Sequence, residues 1–334
     1  MSMLRAGEQV LSYAHGQVDT PTGVLGRVAY GGEVIDGCAD LHVPMAVLPS
    51  GGAITTAWLS AGPFTEGTYQ CCRYRSNTHL LFGAVRLAES TYARAGDVSP
   101  LEQASRAGYE RIFSVLADLG FPELVRCWNY IPQINQTHAG MERYRAFNIG
   151  RQEAFIASGR SCDENLPAAS ALGAADGDLL LYFLAARTRA VSIENPRQLS
   201  AFRYPGQYGP RSPSFARASL LSLPGCEALF VSGTASIVGH ESVHLGDVVA
   251  QTNETMVNID TLVAEANRMS PTRQFSTAGL EFKVFIRHPA DYPAVADTMA
   301  RHLGCVPNAF YVQADVCRRE LLVEIEAVGI RGAT

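Results

Sequence analysis

The stretch 228–267 sets the pattern of the fold, and it reads ALFVSGTASIVGHESVHLGDVVAQTNETMVNIDTLVAEAN. Its first eleven residues are mostly apolar and predict a strand. The part 247–267 predicts a helix, because Ile259, Leu262 and Val263 fall on one helical stripe. The chain then continues with a predicted strand, a helix and a closing β-hairpin, at 280–287, 292–303, 308–317 and 321–328.

The same order of elements occurs earlier in the chain. The helical stripe also recurs there, with Ile112, Val115 and Leu116 in the positions of the three residues named above. The repetition predicts an α+β fold of two tandem β-α-β-β units whose sheets are covered by helices. The boundary is expected in the Pro/Gly-rich stretch 195–213. The earlier elements are predicted at 79–89, 101–120, 124–131, 140–158, 166–171 and 179–186.

Composition limits the classes of partner. The 334 residues are 47% hydrophobic and 18% charged, which indicates a globular protein of about two domains. The net charge of −5 shows no basic excess of the kind that nucleic-acid binders carry. An anionic ligand would therefore need a local cluster of arginines.

No feature of the sequence indicates a membrane or an export route. The longest apolar run, 179–186, is far shorter than the ~20 residues that span a bilayer. The first residues lack the apolar core of a signal peptide, and the eight cysteines include no CxxC pair. We therefore expect reduced thiols and a cytoplasmic protein.

The closing strands of the two units differ in one respect. The first, 179–186, reads LLLYFLAA, whereas the second, 321–328, reads LLVEIEAV. Glu324 and Glu326 share one face of this otherwise apolar strand. Buried carboxylates are paired, protonated or functional, so either glutamate is a site candidate or simply meets an arginine or backbone N–H groups.

Two segments combine arginines with aromatic residues. The segment 204–217, YPGQYGPRSPSFAR, has prolines and glycines that predict a stiff loop, and such a loop lowers the cost of ordering a binding site. Arginine suits a carboxylate ligand because its guanidinium donates two parallel hydrogen bonds. A solvated linker is the alternative. The candidates for ligand binding are Tyr208, Arg211, Phe215 and Arg217 from this loop and Arg151 from the segment 143–151; the resemblance described below adds Arg287.

Two further patterns, an HExxH sequence and Cys317, could belong to a functional site, but each also has a purely structural explanation. The pattern His240-Glu241-Ser242-Val243-His244 matches the HExxH zinc motif, but it precedes the predicted helix and no third ligand follows, so polar loop residues are preferred. Cys317 shares a surface with Glu324 if 319–320 is the hairpin turn, in which case Asp315 faces Glu324. Gln313 would lie on the same surface. A small pocket-lining residue is the expected role of Cys317.

These residues together resemble a known family. The strand Phe230-Val231-Ser232-Gly233 with the later helices and the strand of Glu324 resembles the YjgF/RidA-like (chorismate-mutase-like) fold. The segment RYRAFNIGR (143–151), the loop YGPRSPSF (208–215) and the strand of Glu324 resemble the chorismatases, over residues ~80–330. The resemblance implies cleavage of chorismate with release of pyruvate, without a metal or an organic cofactor.

The resemblance also implies residue roles. The catalytic acid of the family falls on Glu324, and a cysteine seven residues earlier, here Cys317, is similar to the branches that form 3-hydroxybenzoate, alone or with 4-hydroxybenzoate. Ala235 stands where some of those enzymes carry glycine, which leaves the product open. A buried carboxylic acid suits protonation of the enolpyruvyl ether, because burial keeps it protonated at neutral pH.

The sequence thus predicts a cytoplasmic chorismatase, expected as a monomer with chorismate as its small-molecule partner. Residues 1–190 are expected to form a catalytically silent copy, 191–217 a binding loop and linker, and 218–334 the catalytic domain. Three alternatives remain: a hydrolase that makes 3,4-dihydroxycyclohexa-1,5-diene carboxylate, a RidA-type imine or enamine hydrolase, and a non-catalytic carboxylate sensor.

Overall fold

A computed structural model of the chain describes residues 10–16, 23–32, 37, 40–270 and 275–332. A small N-terminal sheet precedes two larger sheets in this part of the chain. The residues 12–59 form β1 Ser12–Gly16, β2 Val24–Tyr30, β3 Asp40–Val43, β4 Val47–Leu48 and β5 Ile54–Leu59. The N-terminal sheet has the strand order β1-β5-β2-β3 and lies outside the predicted duplication.

The residues 65–186, which we call the first repeat, contain the first predicted unit. A β-hairpin that the sequence did not predict precedes that unit. The elements are β6 Thr65–Tyr69, β7 Cys72–Ser76, β8 Leu80–Leu87, α1 Pro100–Leu119, β9 Glu123–Pro132, β10 Thr137–His138, β11 Met141–Glu142, α2 Arg143–Ala157, β12 Ala168–Ala174 and β13 Leu179–Ala186.

The residues 190–332, the second repeat, contain the second predicted unit. Its first strand overlaps the stretch 191–217, which the sequence assigns to a loop and linker. The elements are β14 Ala190–Ile193, β15 Ala218–Leu223, β16 Cys226–Thr234, β17 Ile237–Val238, β18 Glu241–Ser242, α3 Val248–Met269, β19 Glu281–Ile286, α4 Tyr292–Leu303, β20 Asn308–Gln313, β21 Asp315–Val316 and β22 Val323–Gly332.

The strand order of the two large sheets confirms the duplication. Over the described residues, the first sheet has the order β21-β12-β9-β13-β8-β7-β6, and the second has β4-β20-β19-β22-β16-β15-β14. Each repeat therefore places its own six strands in the same order. The seventh strand comes from elsewhere: β21 of the second repeat joins the first sheet, and β4 joins the second.

The predicted hairpin of 308–317 with 321–328 is wrong. β19 lies between the two strands: it pairs in parallel with β20 and antiparallel with β22, where Phe285 faces Glu324. A parallel partner needs a crossover, and α4 supplies it. Asp315 consequently does not face Glu324; it pairs with Gly173 of the first sheet.

Both long central helices begin at a side-chain cap, and α1 also ends at a recognisable signal. Ser99 caps α1 by accepting a hydrogen bond from the Glu102 N–H at 3.1 Å, and Asp247 caps α3 through the Ala250 N–H at 2.9 Å. Gly120 ends α1 in the left-handed conformation, with φ of 69°. The predicted helix boundaries at Gly120 and Asp247 are confirmed.

The core has a central layer and two helix-covered layers. The helices cover one face of each large sheet, while the other faces meet each other and the N-terminal sheet. Along β22, Val323 and Ile325 face the helices, whereas Val328 faces the central layer. Strand alternation therefore places Glu324 and Glu326 on the central side, as predicted.

Candidate active site

A cavity of about 660 Å³ lies between the two repeats. The first repeat contributes the β10–β11 hairpin and the start of α2, and the second contributes the loop 204–217, the residues after β16 and the turn after β21. Its lining residues are Thr137, Gly140, Glu142, Tyr144, Arg145, Tyr204, Gln207, Tyr208, Pro213, Phe215, Arg217, Gly233, Ala235, Ile237, Cys317, Arg318, Arg319 and Glu320.

A void of about 30 Å³ adjoins the deep end of this cavity. Tyr144, Phe215, Gly233 and Cys317 line both spaces, and Glu324 lies in the smaller one. A void of this volume has room for one water-sized group. The Glu324 carboxyl therefore borders a place that a small part of a bound ligand can enter.

Glu324 is a buried and protonated carboxyl. Only 3% of the residue is exposed. Burial and, to a smaller extent, the negative charge of Glu326 raise the pKa of Glu324, the Arg126 guanidinium opposes them, and the net pKa is about 8. A methyl group placed on Gly233 would overlap Glu324 Oε1, so glycine at this position leaves space for the carboxyl.

Glu326, two residues further along, is a buried and ionised carboxylate. Burial alone would raise its pKa, but the cations Lys283 and Arg126 together hold the pKa of Glu326 below its ordinary value. Lys283 Nζ lies 2.6 Å and Arg126 Nη2 lies 2.9 Å from its oxygens. Trp128 Nε1 and Ser170 Oγ donate further hydrogen bonds of 2.8 and 2.6 Å. Glu326 thus meets an arginine, which is the structural alternative that the sequence left open for both glutamates.

Two arginines that line the cavity each have one guanidinium nitrogen without a partner in the described part of the chain. Arg318 Nη2 and Arg217 Nε are buried and have no hydrogen-bond partner among the residues that the structure describes. The opposite side of each group is fixed: Arg318 Nη1 donates to the His240 carbonyl at 2.9 Å, and Arg217 Nη2 donates to the Tyr204 hydroxyl at 2.7 Å. Because leaving a charged donor unpaired is costly, these groups fit an anionic ligand.

Aromatic rings hold the two guanidinium groups in place. The Arg318 Cζ lies 4.1 Å from the Tyr208 ring centroid, and the Arg217 Cζ lies 5.2 Å from that of Phe215. The ring of Tyr204 lies within 5.5 Å of both guanidinium groups. The Tyr208 hydroxyl donates to the His240 carbonyl at 2.7 Å, so Tyr208 acts on the cavity through its ring.

Cys317 meets Glu324 by a different route from the predicted hairpin. Cys317 directly follows β21, the strand that joins the first sheet. It lines both the cavity and the void next to Glu324. Burial raises the pKa of Cys317 to about 12, and the charge of Glu324 contributes in the same direction. The thiol is therefore neutral, and the site provides no thiolate nucleophile.

The remaining predicted residues fall into three places. Ala235 lines the cavity, and Arg151 lines the deep void, where its Nη2 donates to the Ser214 carbonyl. Arg211 and Gln313 are exposed and lie outside both spaces. For Gln313 the reason is the strand order, since β19 separates its strand from β22.

Arg287 has a structural environment. It forms an ion pair with Asp315 at 2.5 Å and donates to the carbonyl groups of Val316, Arg318 and Leu321 at 3.2, 3.0 and 2.9 Å. These bonds fix the turn that carries Cys317 and Arg318. Arg287 thus shapes the site and has no contact with the cavity.

The sequence did not single out Tyr144, Tyr204 and Arg318. Tyr144 and Tyr204 lie in the two Arg/aromatic segments, so their composition was a signal for them. Arg318 follows Cys317 directly, but the wrong hairpin register directed it away from the site. The histidines of the HExxH pattern lie on and after the β17–β18 hairpin, not on a helix, so they do not share a helical face.

The described residues contain neither a metal-ligand cluster nor a membrane-spanning helix. No group of three or more His, Cys, Asp or Glu side chains in that part of the chain could hold a metal ion. None of the helices within it is long and apolar enough to cross a bilayer.

Comparison with known proteins gives consistent matches. A family model described as the N-terminal part of FkbO/Hyg5-like chorismatases matches residues 56–185. The chain is 40% identical to a chorismatase of Streptomyces rapamycinicus, over 81% of both chains. It is 35% identical to a 3-hydroxybenzoate synthase of Streptomyces hygroscopicus, over 87% of this chain and 86% of that protein. A crystal structure of a chorismatase superposes with a TM-score of 0.85 at 32% identity, covering 96% of this chain and 99% of the other.

Proposed function

This chain belongs to the chorismatase family, and we propose that it cleaves chorismate into pyruvate and 3-hydroxybenzoate. The observation that carries the proposal is the buried, protonated Glu324 next to a cavity with two unused guanidinium donors. Chorismate carries two carboxylates and an enolpyruvyl ether. A site for it needs cationic groups for the carboxylates and an acid for the ether, and this cavity contains both.

Glu324 is the proposed acid. It protonates the terminal methylene of the enolpyruvyl group, and the positive charge that develops on the ether carbon is stabilised by the carboxylate left behind. The void of about 30 Å³ beside Glu324 is large enough for a methylene group. A raised pKa supports this role, because an acid of ordinary pKa would be ionised before the substrate arrived.

Arg217 and Arg318 are the proposed carboxylate receptors. Each has one nitrogen bound to protein and another buried nitrogen without a partner in the described part of the chain. The aromatic rings that hold them reduce the ordering that binding requires. Arg211 is exposed and outside the cavity, so we assign no carboxylate to it.

The product follows from the atom balance and from the lining of the deep end. A hydroxybenzoate and pyruvate together contain every atom of chorismate, so no water is consumed. The ring hydroxyl adds to the cationic ether carbon in place of water, the bond from that carbon to the ether oxygen and the ring bond to the hydroxyl oxygen break, and pyruvate leaves with the hydroxyl oxygen. The ether oxygen stays on the ring, and the proton that the ring loses as it becomes aromatic replaces the one donated by Glu324. The hydrolase alternative consumes a water. Cys317, a neutral thiol, lines the deep end and offers no base to activate a water, and a relative of this chain is a 3-hydroxybenzoate synthase.

The test is incubation with chorismate. Pyruvate is measured by a coupled dehydrogenase assay, and the ring product is identified by chromatography against 3-hydroxybenzoate, 4-hydroxybenzoate and the dihydroxycyclohexadiene acid. Equal amounts of pyruvate and 3-hydroxybenzoate are expected. The diene acid would assign the hydrolase reaction, and no turnover of chorismate would contradict the proposal. The cytoplasmic location, the monomeric state and the silent role of residues 1–190 stay predictions.

A further inference from the structure

Ser170 on β12 stands between the two glutamates of β22. Its Oγ donates to Glu326 Oε2 at 2.6 Å. The same oxygen accepts from Arg126 Nη2 at 2.6 Å and from the Gly233 N–H at 3.0 Å. A hydroxyl has one proton and two lone pairs, so all of its hydrogen-bonding capacity is used.

The same hydroxyl is a close neighbour of Glu324. A methyl group placed on Gly233 would overlap Glu324 Oε1 and lie 3.1 Å from Ser170 Oγ, so the two oxygens lie on one side of Gly233. Ser170 and Glu324 also line the same small void. No described residue donates a hydrogen bond to the Glu324 carboxyl. Ser170 is thus an adjacent donor whose proton is committed to the other glutamate.

We propose that Ser170 is a positioning residue for the reaction, which keeps the negative charge on Glu326 and the transferable proton on Glu324. Its hydroxyl accepts hydrogen bonds from the Arg126 guanidinium and the Gly233 N–H, and it donates one to the Glu326 carboxylate. Without the hydroxyl, Arg126 and the Gly233 N–H would each lose an acceptor next to Glu324 Oε1. A carboxylate at Glu324 would then accept their hydrogen bonds and be stabilised.

The inference connects the repeats, because Ser170 and Arg126 belong to the first repeat and both glutamates to the second. It rests on the proposed function for its meaning in catalysis, since the proton held on Glu324 is the one given to the substrate. The charged or titratable groups that face Glu324 from the surrounding elements are Arg126 on β9, Tyr144 and Arg151 on α2, Cys317 after β21, and Glu326 on β22 with its partner Lys283 on β19.

The experiment compares the pH profile of kcat in wild type, Ser170→Ala and Ser232→Ala. Activity requires protonated Glu324, so it falls as the pH rises through the pKa of that carboxyl. In Ser170→Ala we expect the alkaline midpoint to move down by about one pH unit, because charged and backbone donors become available to the carboxylate. Ser232 is the matched control: it is fully buried, and its hydroxyl accepts from the Ala169 N–H and donates to the Ala216 carbonyl, with no hydrogen bond to either glutamate.

Two additional variants separate positioning from folding. Ser170→Thr retains the hydroxyl and is expected to keep the wild-type midpoint. If Ser170→Ala does not fold, Ser170→Cys replaces the hydroxyl by a weak donor of similar size and is expected to show the same downward shift. A lower kcat or Tm with an unchanged midpoint would show a merely structural role and overturn the inference.

A measurement without turnover keeps this test independent of the proposed function. Carbon-13 NMR of labelled glutamate side chains follows the protonation of Glu324, assigned by comparison with Glu324→Gln. The same downward shift in Ser170→Ala is expected there, whether or not chorismate is the substrate. An unchanged titration would overturn the inference, whereas absence of chorismate turnover by wild type would contradict only the proposed function.

Discussion

The strands β13 and β22 hold the same place in two sheets and carry different chemistry. β13 lies between β8 and β9, as β22 lies between β16 and β19, and one face of each looks into the central layer. On β13 that face contains one polar group, the Tyr182 hydroxyl, which accepts a hydrogen bond from Lys283 at 3.0 Å. On β22 it contains two carboxyls.

Burial alone does not decide the protonation state of a carboxyl group. Glu326 is as buried as Glu324, yet two cations and two neutral donors keep it ionised. Glu324 lies only two residues away, has no ion-pair partner among the described residues and borders a void. One carboxyl thus joins the sheets, and the other keeps a proton that it can donate.

The largest expected effect concerns the carboxyl that has no counterpart in β13. Glu324→Gln removes the proposed acid while keeping the size of the side chain, and we expect kcat for chorismate to fall by roughly 10³-fold, the usual contribution of a general acid. The coupled pyruvate assay measures it, with an unchanged circular dichroism spectrum as the control for folding. Near-normal turnover by this variant would remove Glu324 from the mechanism.

The second effect concerns stability at the other carboxyl. Glu326→Gln leaves Arg126 and Lys283 without their common anion, and breaking such a buried pair is expected to cost about 3–5 kcal/mol of the free energy of unfolding. Tyr182→Phe is the matched variant on β13, since it removes the hydrogen bond from the same lysine and one with the Tyr30 hydroxyl, and should cost about 1–2 kcal/mol. Urea unfolding of both variants decides. If both variants lose the same free energy of unfolding, the ion pair of β22 is worth no more than the hydrogen bonds of Tyr182 on β13, which would contradict the account.

The sequence predicts the repeats and the two glutamates because both depend on local pattern. Strand alternation places Glu324 and Glu326 on one face, and helix stripes and caps mark α1 and α3. Strand order depends on long-range pairing, so the short connection before β22 suggested a hairpin although β19 lies between the strands. Because of that error, the sequence placed Gln313 in the site and Arg318 outside it, whereas the structure shows the opposite. Three of the four partners that distinguish Glu326 from Glu324, namely Arg126, Trp128 and Ser170, come from the other repeat, where no local pattern indicates them.

The third effect is a pH dependence of stability that Glu324 should have and a glutamine should lack. The pKa of Glu324 is raised from 4.5 to about 8, so the folded protein keeps a proton that the unfolded chain loses. Wild type therefore loses stability relative to Glu324→Gln by up to ~1.4 kcal/mol per pH unit between these two values. Below pH 4.5 the difference is constant. The free energy of unfolding of both proteins is measured at pH 5 and pH 7.5. The same difference between wild type and Glu324→Gln at both pH values would contradict a raised pKa.

The smallest expected effect concerns the wall next to Glu324. Cys317→Ala leaves the acid and the guanidinium groups in place but enlarges the deep end, so pyruvate release should change by less than about threefold while the ratio of ring products shifts. Chromatography of the products at complete conversion measures the ratio. The same product mixture from both proteins would exclude Cys317 from product control.

The central claim is that Glu324 holds a proton at neutral pH, and a direct titration of that carboxyl tests it best. Carbon-13 NMR of the labelled side chain, with Glu324→Gln to assign the signal, should show a midpoint near the pKa of about 8 that its buried environment produces. A midpoint at the ordinary value of 4.5 would mean that the group is ionised when the substrate binds, and the account of the acid would be wrong.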